Sequence, residues 1–274
     1  MRTYLTAAIA YVQENGDELE RARLAGLLGR SRAEPKVARS LLARQNEDGG
    51  FPYGLIHGRP SAITATATAM QWMHDLRLLP SSYVERATGY LLTVQRPDGA
   101  WEESPAVLRF DPPALVRPGV PLARIYCTAL AASWMTRLLG SRHDAVMRAA
   151  ICLRASRDGG WPAEEPAHVT AQVAAALLMV DGPSSAATSA GLDALRRLAP
   201  EVWTADRLAD SLNALYLAGL PADDLFVAAG LARLLALQRL DGGWSSDEGA
   251  DRDVDLSLRA TGVLLAYGVA TLLR

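Results

Sequence analysis

The sequence predicts an all-α protein, a single-domain (α/α)6 toroid of six helix pairs, and two observations lead to that prediction. A turn of the type Gln-x-x-Asp-Gly-Gly-aromatic recurs at residues 45–51, 95–101, 155–161 and 238–244. Each copy lies between segments whose apolar residues recur at helical spacing. No segment alternates with a period of two, so strands are not expected. A repeat of about 40–60 residues has room for two helices and a loop.

The elements follow one order along the chain. An amphipathic helix comes before each turn, and the turn glycine ends it with a left-handed C-cap. An Ala- and Thr-rich helix follows the turn. The predicted outer helices include residues 1–14, 36–44, 83–94, 144–154 and 225–237, and the inner ones are 18–28, 61–76, 124–139, 168–180, 206–218 and 255–272. Trp203 marks a degenerate fifth copy of the turn, and residues 13–17 form a degenerate sixth copy. These two copies complete six helix pairs.

Six pairs favour closure into a ring. Small side chains let the Ala-rich helices pack closely as an inner wall. The amphipathic helices then form the outer wall, with Arg86, Arg148 and Arg196 in water. An open solenoid has the same local signature. Closure predicts that segment 18–28 lies beside segment 255–272.

Composition excludes several classes of protein. The chain has 274 residues, is 50% hydrophobic and carries a net charge of −2, which gives no electrostatic reason to bind nucleic acid or an anionic membrane. Cys127 and Cys152 have neither disulfide nor zinc spacing. No apolar run approaches the roughly 20 residues of a transmembrane helix. We therefore expect a cytoplasmic protein.

The four turns resemble the QW repeats of squalene-hopene cyclases and related class II terpene cyclases, and more loosely the β-subunits of protein prenyltransferases. The resemblance covers essentially the whole chain. In that family the motif staples the barrel together, which implies structural roles for Asp48, Trp101, Asp158, Asp241 and Trp244. The aspartates are expected to bond turn amides and the tryptophans to cover the neighbouring helix.

Residues 251–258, Asp-Arg-Asp-Val-Asp-Leu-Ser-Leu, resemble the Asp-x-Asp-Asp-Thr-Ala motif of class II cyclases. The resemblance implies that Asp255 is the acid that protonates an alkene or epoxide, with Asp253 at the first Asp of the motif. Leu256 replaces the third Asp, and Ser257 stands where the family has Thr. Burial and a neighbouring carboxylate would keep Asp255 protonated. The alternative is a solvated acidic loop in which Asp253 or Asp255 caps a helix.

Two further sets of residues are candidates for substrate binding. Aromatic rings on the inner helices would stabilise a carbocation, or else belong to the core: Trp72, Tyr126, Trp134, Tyr216 and Tyr267. A Pro-rich insertion at about 102–122 is expected over the barrel mouth, at the end where the turns lie. Arg109 and Arg117 in it, with Arg124 after it, would meet a diphosphate, or else lie in a rigid surface loop.

The sequence thus predicts a bacterial isoprenoid cyclase of specialised metabolism that starts its reaction by protonation. The expected partner is a hydrophobic isoprenoid. No cofactor or metal is required. The sequence leaves open whether Mg²⁺ accompanies a diphosphate substrate and whether the protein forms a homodimer. Three alternatives remain: a zinc prenyltransferase-like enzyme with Cys127, His168 and Asp255 as ligands, a polysaccharide-active enzyme using Asp210, and a non-catalytic scaffold.

Overall fold

The structure is a computed structural model that describes residues 4–30, 35–162, 164–198 and 203–269. Twelve α-helices form among these residues: α1 Tyr4–Asn15, α2 Glu18–Leu27, α3 Pro35–Leu42, α4 Ile63–Asp75, α5 Ser82–Val94, α6 Pro121–Leu139, α7 Asp144–Ala155, α8 Ala167–Asp181, α9 Ala186–Arg196, α10 Ala205–Leu217, α11 Leu225–Ala236 and α12 Asp253–Ala266. One short strand pair joins β1 (Phe51–Pro52) to β2 (Ser61–Ala62). It lies in the first turn-to-helix connection, where no strand was predicted.

The even-numbered helices form a closed ring. Helix α2 contacts α4, and contacts continue from α4 through α6, α8 and α10 to α12. Helix α12 in turn contacts α2, so the two ends of the repeat array meet. The odd-numbered helices pack around the outside. The predicted (α/α)6 toroid is confirmed, and the open solenoid is excluded because the first inner helix lies against the last.

The two walls differ as their compositions require. Helix α8 buries every residue from Val169 to Leu178, because it packs against inner and outer helices at once. Arg86, Arg148 and Arg196 on the outer wall are exposed, as predicted. No helix among the described residues is long and apolar enough to cross a membrane.

Three of the four turns share one set of contacts. In the last copy, Gln238 Nε2 donates to the carbonyl oxygens of Gly242 (2.7 Å) and Tyr4 (2.9 Å), which links the turn to the outer helix α1. The amide of Gly243 donates to Asp241 (3.0 Å), and the indole of Trp244 donates to Leu234 O (2.7 Å). Gln45 and Gln95 make the same two bonds. These copies staple the barrel as the resemblance implies.

The third turn departs from this pattern. Ala155 occupies the position of the glutamine, and Trp161 is half-buried, whereas Trp101 and Trp244 are fully buried. Asp158 accepts no hydrogen bond from a turn amide among the described residues, so the structural role expected for it is wrong. The positive φ of 96° falls on Gly160, the second glycine, whereas the first glycine carries it in the other copies. The turn is shifted by one residue.

Candidate active site

The inner helices surround a lumen that solvent reaches. Half-buried or exposed residues recur on the inner helices at intervals of four, three and four: Asp206, Asp210, Asn213 and Leu217 on α10, and Asp255, Arg259, Gly262 and Ala266 on α12. Most of the residues between these positions are buried against neighbouring helices. Such spacing keeps one face of a helix toward the centre of the ring. Asn213 Nδ2 also donates to Gln71 Oε1 on the opposite helix α4 at 3.3 Å, which crosses the lumen.

Asp255 lies on this lumen-facing stripe, as the third residue of α12. Its Oδ1 accepts a hydrogen bond from Arg23 Nη1 at 2.7 Å, and its Oδ2 accepts one from Arg259 Nε at 3.2 Å. Burial acts to raise the pKa of the Asp255 carboxyl, but the two guanidinium groups outweigh it and hold the pKa below its usual range. The expectation of a carboxyl kept protonated by its surroundings is therefore wrong.

The two arginines extend the contacts of Asp255 into a larger network. Arg23 is 1% exposed and pairs with Asp75 on α4 at 3.0 Å. Arg259 pairs with Asp206 at 2.7 Å and Asp210 at 2.5 Å, both on α10. Two cations and four carboxylates thus connect α2, α4, α10 and α12. We call these six residues the lumen network.

Asp253 does not belong to this network. Its Oδ1 accepts from the amide of Ser246 at 2.8 Å, and its Oδ2 is paired with Arg239. The predicted contact with Asp255 is wrong because Asp253 begins helix α12, and residues two apart on a helix face different directions. No side-chain hydrogen bond caps the first turn of α12, so the capping alternative is also wrong.

Ser257 has a structural role that the sequence comparison did not assign. Its hydroxyl accepts from the amide of Trp244 at 3.0 Å and donates to Asp253 O at 2.7 Å. Thr66 and Thr128 make the same two contacts after the first and second turns. A hydroxyl at this point therefore ties the first, second and last turns to their inner helices. The recurrence of Thr or Ser after the turn was the signal available in the sequence.

The candidate aromatic residues separate into two groups. The guanidinium carbon of Arg23 lies 4.6 Å from the centre of the Trp72 ring. The rings of Tyr126 and His168 meet edge-on, with 6.2 Å between their centres. Trp72 and Tyr126 are half-buried and lie beside the lumen. Trp134 and Tyr267 are buried, and the Tyr267 hydroxyl donates to Leu212 O at 3.2 Å. Tyr216, which is 41% exposed, packs edge-on against Tyr267.

The structure does not bring the three candidate arginines together. The Pro-rich segment forms two 3₁₀ turns at the end of the barrel where the regular turns lie. The guanidinium carbon of Arg109 lies 4.9 Å from the centre of the Phe110 ring. Arg117 pairs with the exposed Asp111 at 2.6 Å. Arg124 pairs with Asp98 and lines an outer groove beside α7. That groove faces away from the lumen, so the structure does not support Arg124 as a ligand for a substrate there.

A zinc site at Cys127, His168 and Asp255 does not form. Cys127 is 1% exposed and lies one residue off the lumen-facing stripe of α6. Burial, together with the charge of Glu103, raises the pKa of its thiol well above the usual value. No group of three or more His, Cys, Asp or Glu side chains in the described parts of the chain could hold a metal ion.

Comparison with solved structures gives a consistent picture of the fold. The type II terpene cyclase MstE from Scytonema has a TM-score of 0.61 at 17% identity, covering 98% of both chains. A protein from Actinoplanes has a TM-score of 0.63 at 17% identity, covering 97% of this chain and 98% of that one. A variant of MstE in complex with its substrate, geranylgeranyl dihydroxybenzoate, has a TM-score of 0.58 at 18% identity, covering 97% of each. This chain has the fold of type II terpene cyclases.

Comparison with known sequences finds a similarity over a smaller part of the chain. No protein-family model matches the chain. Drimenyl diphosphate synthase of Streptomyces showdoensis is 35% identical over 106 residues, which are 36% of this chain. The matched stretch spans 20% of that relative's length.

Proposed function

We propose that the chain is an isoprenoid cyclase that takes a linear prenyl substrate into the lumen and starts its reaction with a proton from Asp255. The position of Asp255 carries the proposal. It is a carboxyl group on the wall of a closed helical ring, in the first turn of the inner helix that follows a Gly-Gly-Trp turn, and 20% of its side chain is exposed. A substrate inside the ring can reach it.

The comparisons support this proposal in two ways. Structures of the same fold bind a geranylgeranyl substrate and the product merosterolic acid A. The curated relative is named as the synthase of a terpenoid diphosphate. Both support prenyl chains as the substrate class, and the two head groups, a dihydroxybenzoate and a diphosphate, differ.

The first step moves one proton and one electron pair. The Asp255 O–H bond breaks, its proton adds to one carbon of an alkene, and the π electrons form the new C–H bond. The neighbouring carbon becomes cationic and is attacked by the next alkene of the chain. The rings of Trp72 and Tyr126 beside the lumen can stabilise such a cation. The step needs no metal, and Mg²⁺ enters only as the counter-ion of a diphosphate substrate.

The arginines around Asp255 give this step a distinct pH dependence. A carboxyl with a lowered pKa is a strong proton donor, yet only a small fraction of it carries the proton at neutral pH. We therefore expect initial rates to rise as the pH falls from 7 to 5, by roughly tenfold per unit. A rate that is flat over this range would argue against Asp255 as the donor.

The decisive experiment is a product assay on geranyl, farnesyl and geranylgeranyl alcohols and diphosphates. Asp255→Asn retains an oxygen that can accept from one arginine but cannot supply the proton, so cyclic products should disappear. Asp251→Asn, an exposed change in the preceding loop, is the matched control and should keep full turnover. Equal turnover by Asp255→Asn and wild type would overturn the role of Asp255. Absence of cyclic product from wild type would overturn the function.

The lumen network favours a second candidate, a polar substrate such as a sugar. Asp206 and Asp210 place further carboxylates beside Asp255 in a lumen that solvent enters. A glycosidase needs one carboxyl that stays protonated, whereas Arg259 pairs with all three of these groups. Release of reducing sugar from soluble polysaccharides by wild type would favour this candidate, and its absence together with cyclic terpenoid products would exclude it.

A further inference from the structure

Three arginines lie on the lumen-facing side of the inner wall, and one of them differs from the others. Arg23 and Arg259 are each held by two or more carboxylates of the lumen network. Arg137, in the last turn of α6, is half-buried and forms no ion pair with a described residue. Its Nη1 atom is buried and has no hydrogen-bond partner in the part of the chain that the structure describes. A buried charge is normally paired, because leaving it unpaired is costly.

Helix periodicity places Arg137 on the lumen side. It follows Tyr126 by 11 residues, close to three full turns, so the two side chains leave α6 on nearly the same face. The equivalent positions on the next three inner helices are Met179, Leu217 and Ala266, all half-buried. On α8, α10 and α12 this end of the lumen therefore presents apolar side chains, whereas the equivalent position on α4 is Asp75, which is held by Arg23.

The immediate contacts of Arg137 are aromatic. Its guanidinium lies 4.7 Å from the centre of the Trp134 ring, and the Tyr216 hydroxyl of α10 is near enough to influence its pKa. Burial lowers the pKa of Arg137, because a charged guanidinium is less stable where it is removed from water. Aromatic faces and aliphatic side chains offer it no carboxylate or phosphate oxygen.

We propose that Arg137 binds the anionic head group of the prenyl substrate, whose chain runs from there through the lumen toward Asp255. This assignment rests on the proposed cyclase function. Eleven helical residues correspond to about 16 Å along the barrel axis, so the ligand must be an extended chain with a charged end. A bound chain must also displace the Gln71–Asn213 hydrogen bond, which crosses the lumen between the two ends. A diphosphate or a carboxylate would supply the missing oxygens.

The alternative is that Arg137 merely complements the C-terminal end of α6, where a cation interacts favourably with the helix dipole. That role affects the stability of the protein but not its choice between charged and neutral ligands. A selectivity measurement therefore separates the two roles.

The test is calorimetric binding of farnesyl diphosphate, farnesoic acid, farnesol and dodecyl phosphate to the intact chain. Wild type should bind the anionic compounds more tightly than farnesol. Arg137→Gln should weaken the anionic compounds by about 30-fold or more and change farnesol less than twofold. Arg137→Lys should recover part of the loss, since it restores the charge. Arg142→Gln, exposed just beyond α6, should behave as wild type.

Each outcome bears on one of the two proposals. Unchanged affinity of Arg137→Gln for the anions, or an equal loss for farnesol, overturns the head-group site and leaves the cyclase proposal standing. Binding of dodecyl phosphate that depends on Arg137, without binding of any prenyl compound, supports the anion site and overturns the cyclase. No binding by wild type overturns both. A stronger effect on farnesyl diphosphate than on farnesoic acid would identify the head group as a diphosphate.

Discussion

The last turn and the third turn have the same Asp-Gly-Gly-Trp letters but different structures. At 238–244, Gly242 packs so closely on the outer helix α1 that an added Cβ would lie 2.3 Å from Ala7 O. At 155–161, a Cβ on either Gly159 or Gly160 would meet nothing within 4 Å. The tryptophans differ as well, because Trp161 lies against Gly191 of α9 and under Arg157 instead of in a sealed core site.

The difference teaches which residue defines the turn. Gln238 bonds the turn to the next outer helix, and the third copy has Ala155 at that position. In this copy α9 packs against the tryptophan through Gly191, and the glycines stay open. Thr170 also bonds to Glu165 at 2.8 Å instead of to the tryptophan amide. The regular turn is therefore a set of contacts between three elements, and Asp-Gly-Gly-Trp supplies only part of it.

The largest expected effect separates the two tryptophans. Trp244→Ala removes a fully buried ring and its bond to Leu234, so the free energy of unfolding should fall by about 3–5 kcal/mol. Trp161→Ala removes a half-buried ring and should cost clearly less. Urea unfolding followed by circular dichroism measures both. Equal losses would mean that the third turn is as firmly packed as the last.

A pair of glycine substitutions isolates the close approach to α1. Gly242 and Gly160 have φ values of 95° and 96°, so alanine brings similar backbone strain at both. Only at Gly242 does the new methyl group meet backbone. Gly242→Ala should therefore be less stable than Gly160→Ala by about 1–3 kcal/mol. Thermal unfolding of the two variants under identical conditions tests this, and matching melting temperatures would contradict the packing difference.

Exchanging the glutamine position tests the link itself. Gln238→Ala loses two hydrogen bonds and should lower the free energy of unfolding by about 1–2 kcal/mol. Ala155→Gln should be neutral within about 0.5 kcal/mol, because the shifted third turn no longer presents the partners that the glutamine needs. A clear gain in the denaturation midpoint of Ala155→Gln would show that the third turn can return to the regular form.

The smallest expected effect is on the stability of the protein at acidic pH. A hydrogen bond from Arg239 lowers the pKa of Asp241. This contribution to stability is present at neutral pH and is lost as the pH falls below about 4, through the folded-state pKa. Asp241→Asn should flatten that part of the stability–pH curve slightly, because the group is largely exposed. Urea unfolding at a series of pH values between about 2 and 7 measures this curve, and an Asp241→Asn curve that coincides with that of wild type would contradict the contribution.

The candidate site was predictable only in part. The position of Asp255 after a Gly-Gly-Trp turn placed it on the inner wall, where the structure has it. Its four-residue spacing from Arg259 was visible in the sequence and would have suggested an ion pair. Arg23 and Asp75 were not assigned, since 232 residues separate Arg23 from Asp255 and no local pattern relates them. The charge of Arg23, together with that of Arg259, lowers the pKa of Asp255.

The sequence by itself determined the helical repeat, the number of pairs and the assignment of inner and outer walls. These follow from apolar spacing and turn residues, which act over a few neighbours along the chain. The tertiary structure alone decided that the ring closes, that Arg23 reaches both Asp75 and Asp255, and that Arg137 has no anionic partner among the described residues. Those facts depend on the rotation of each helix about its axis, and helix rotation is set by packing among six helices at once.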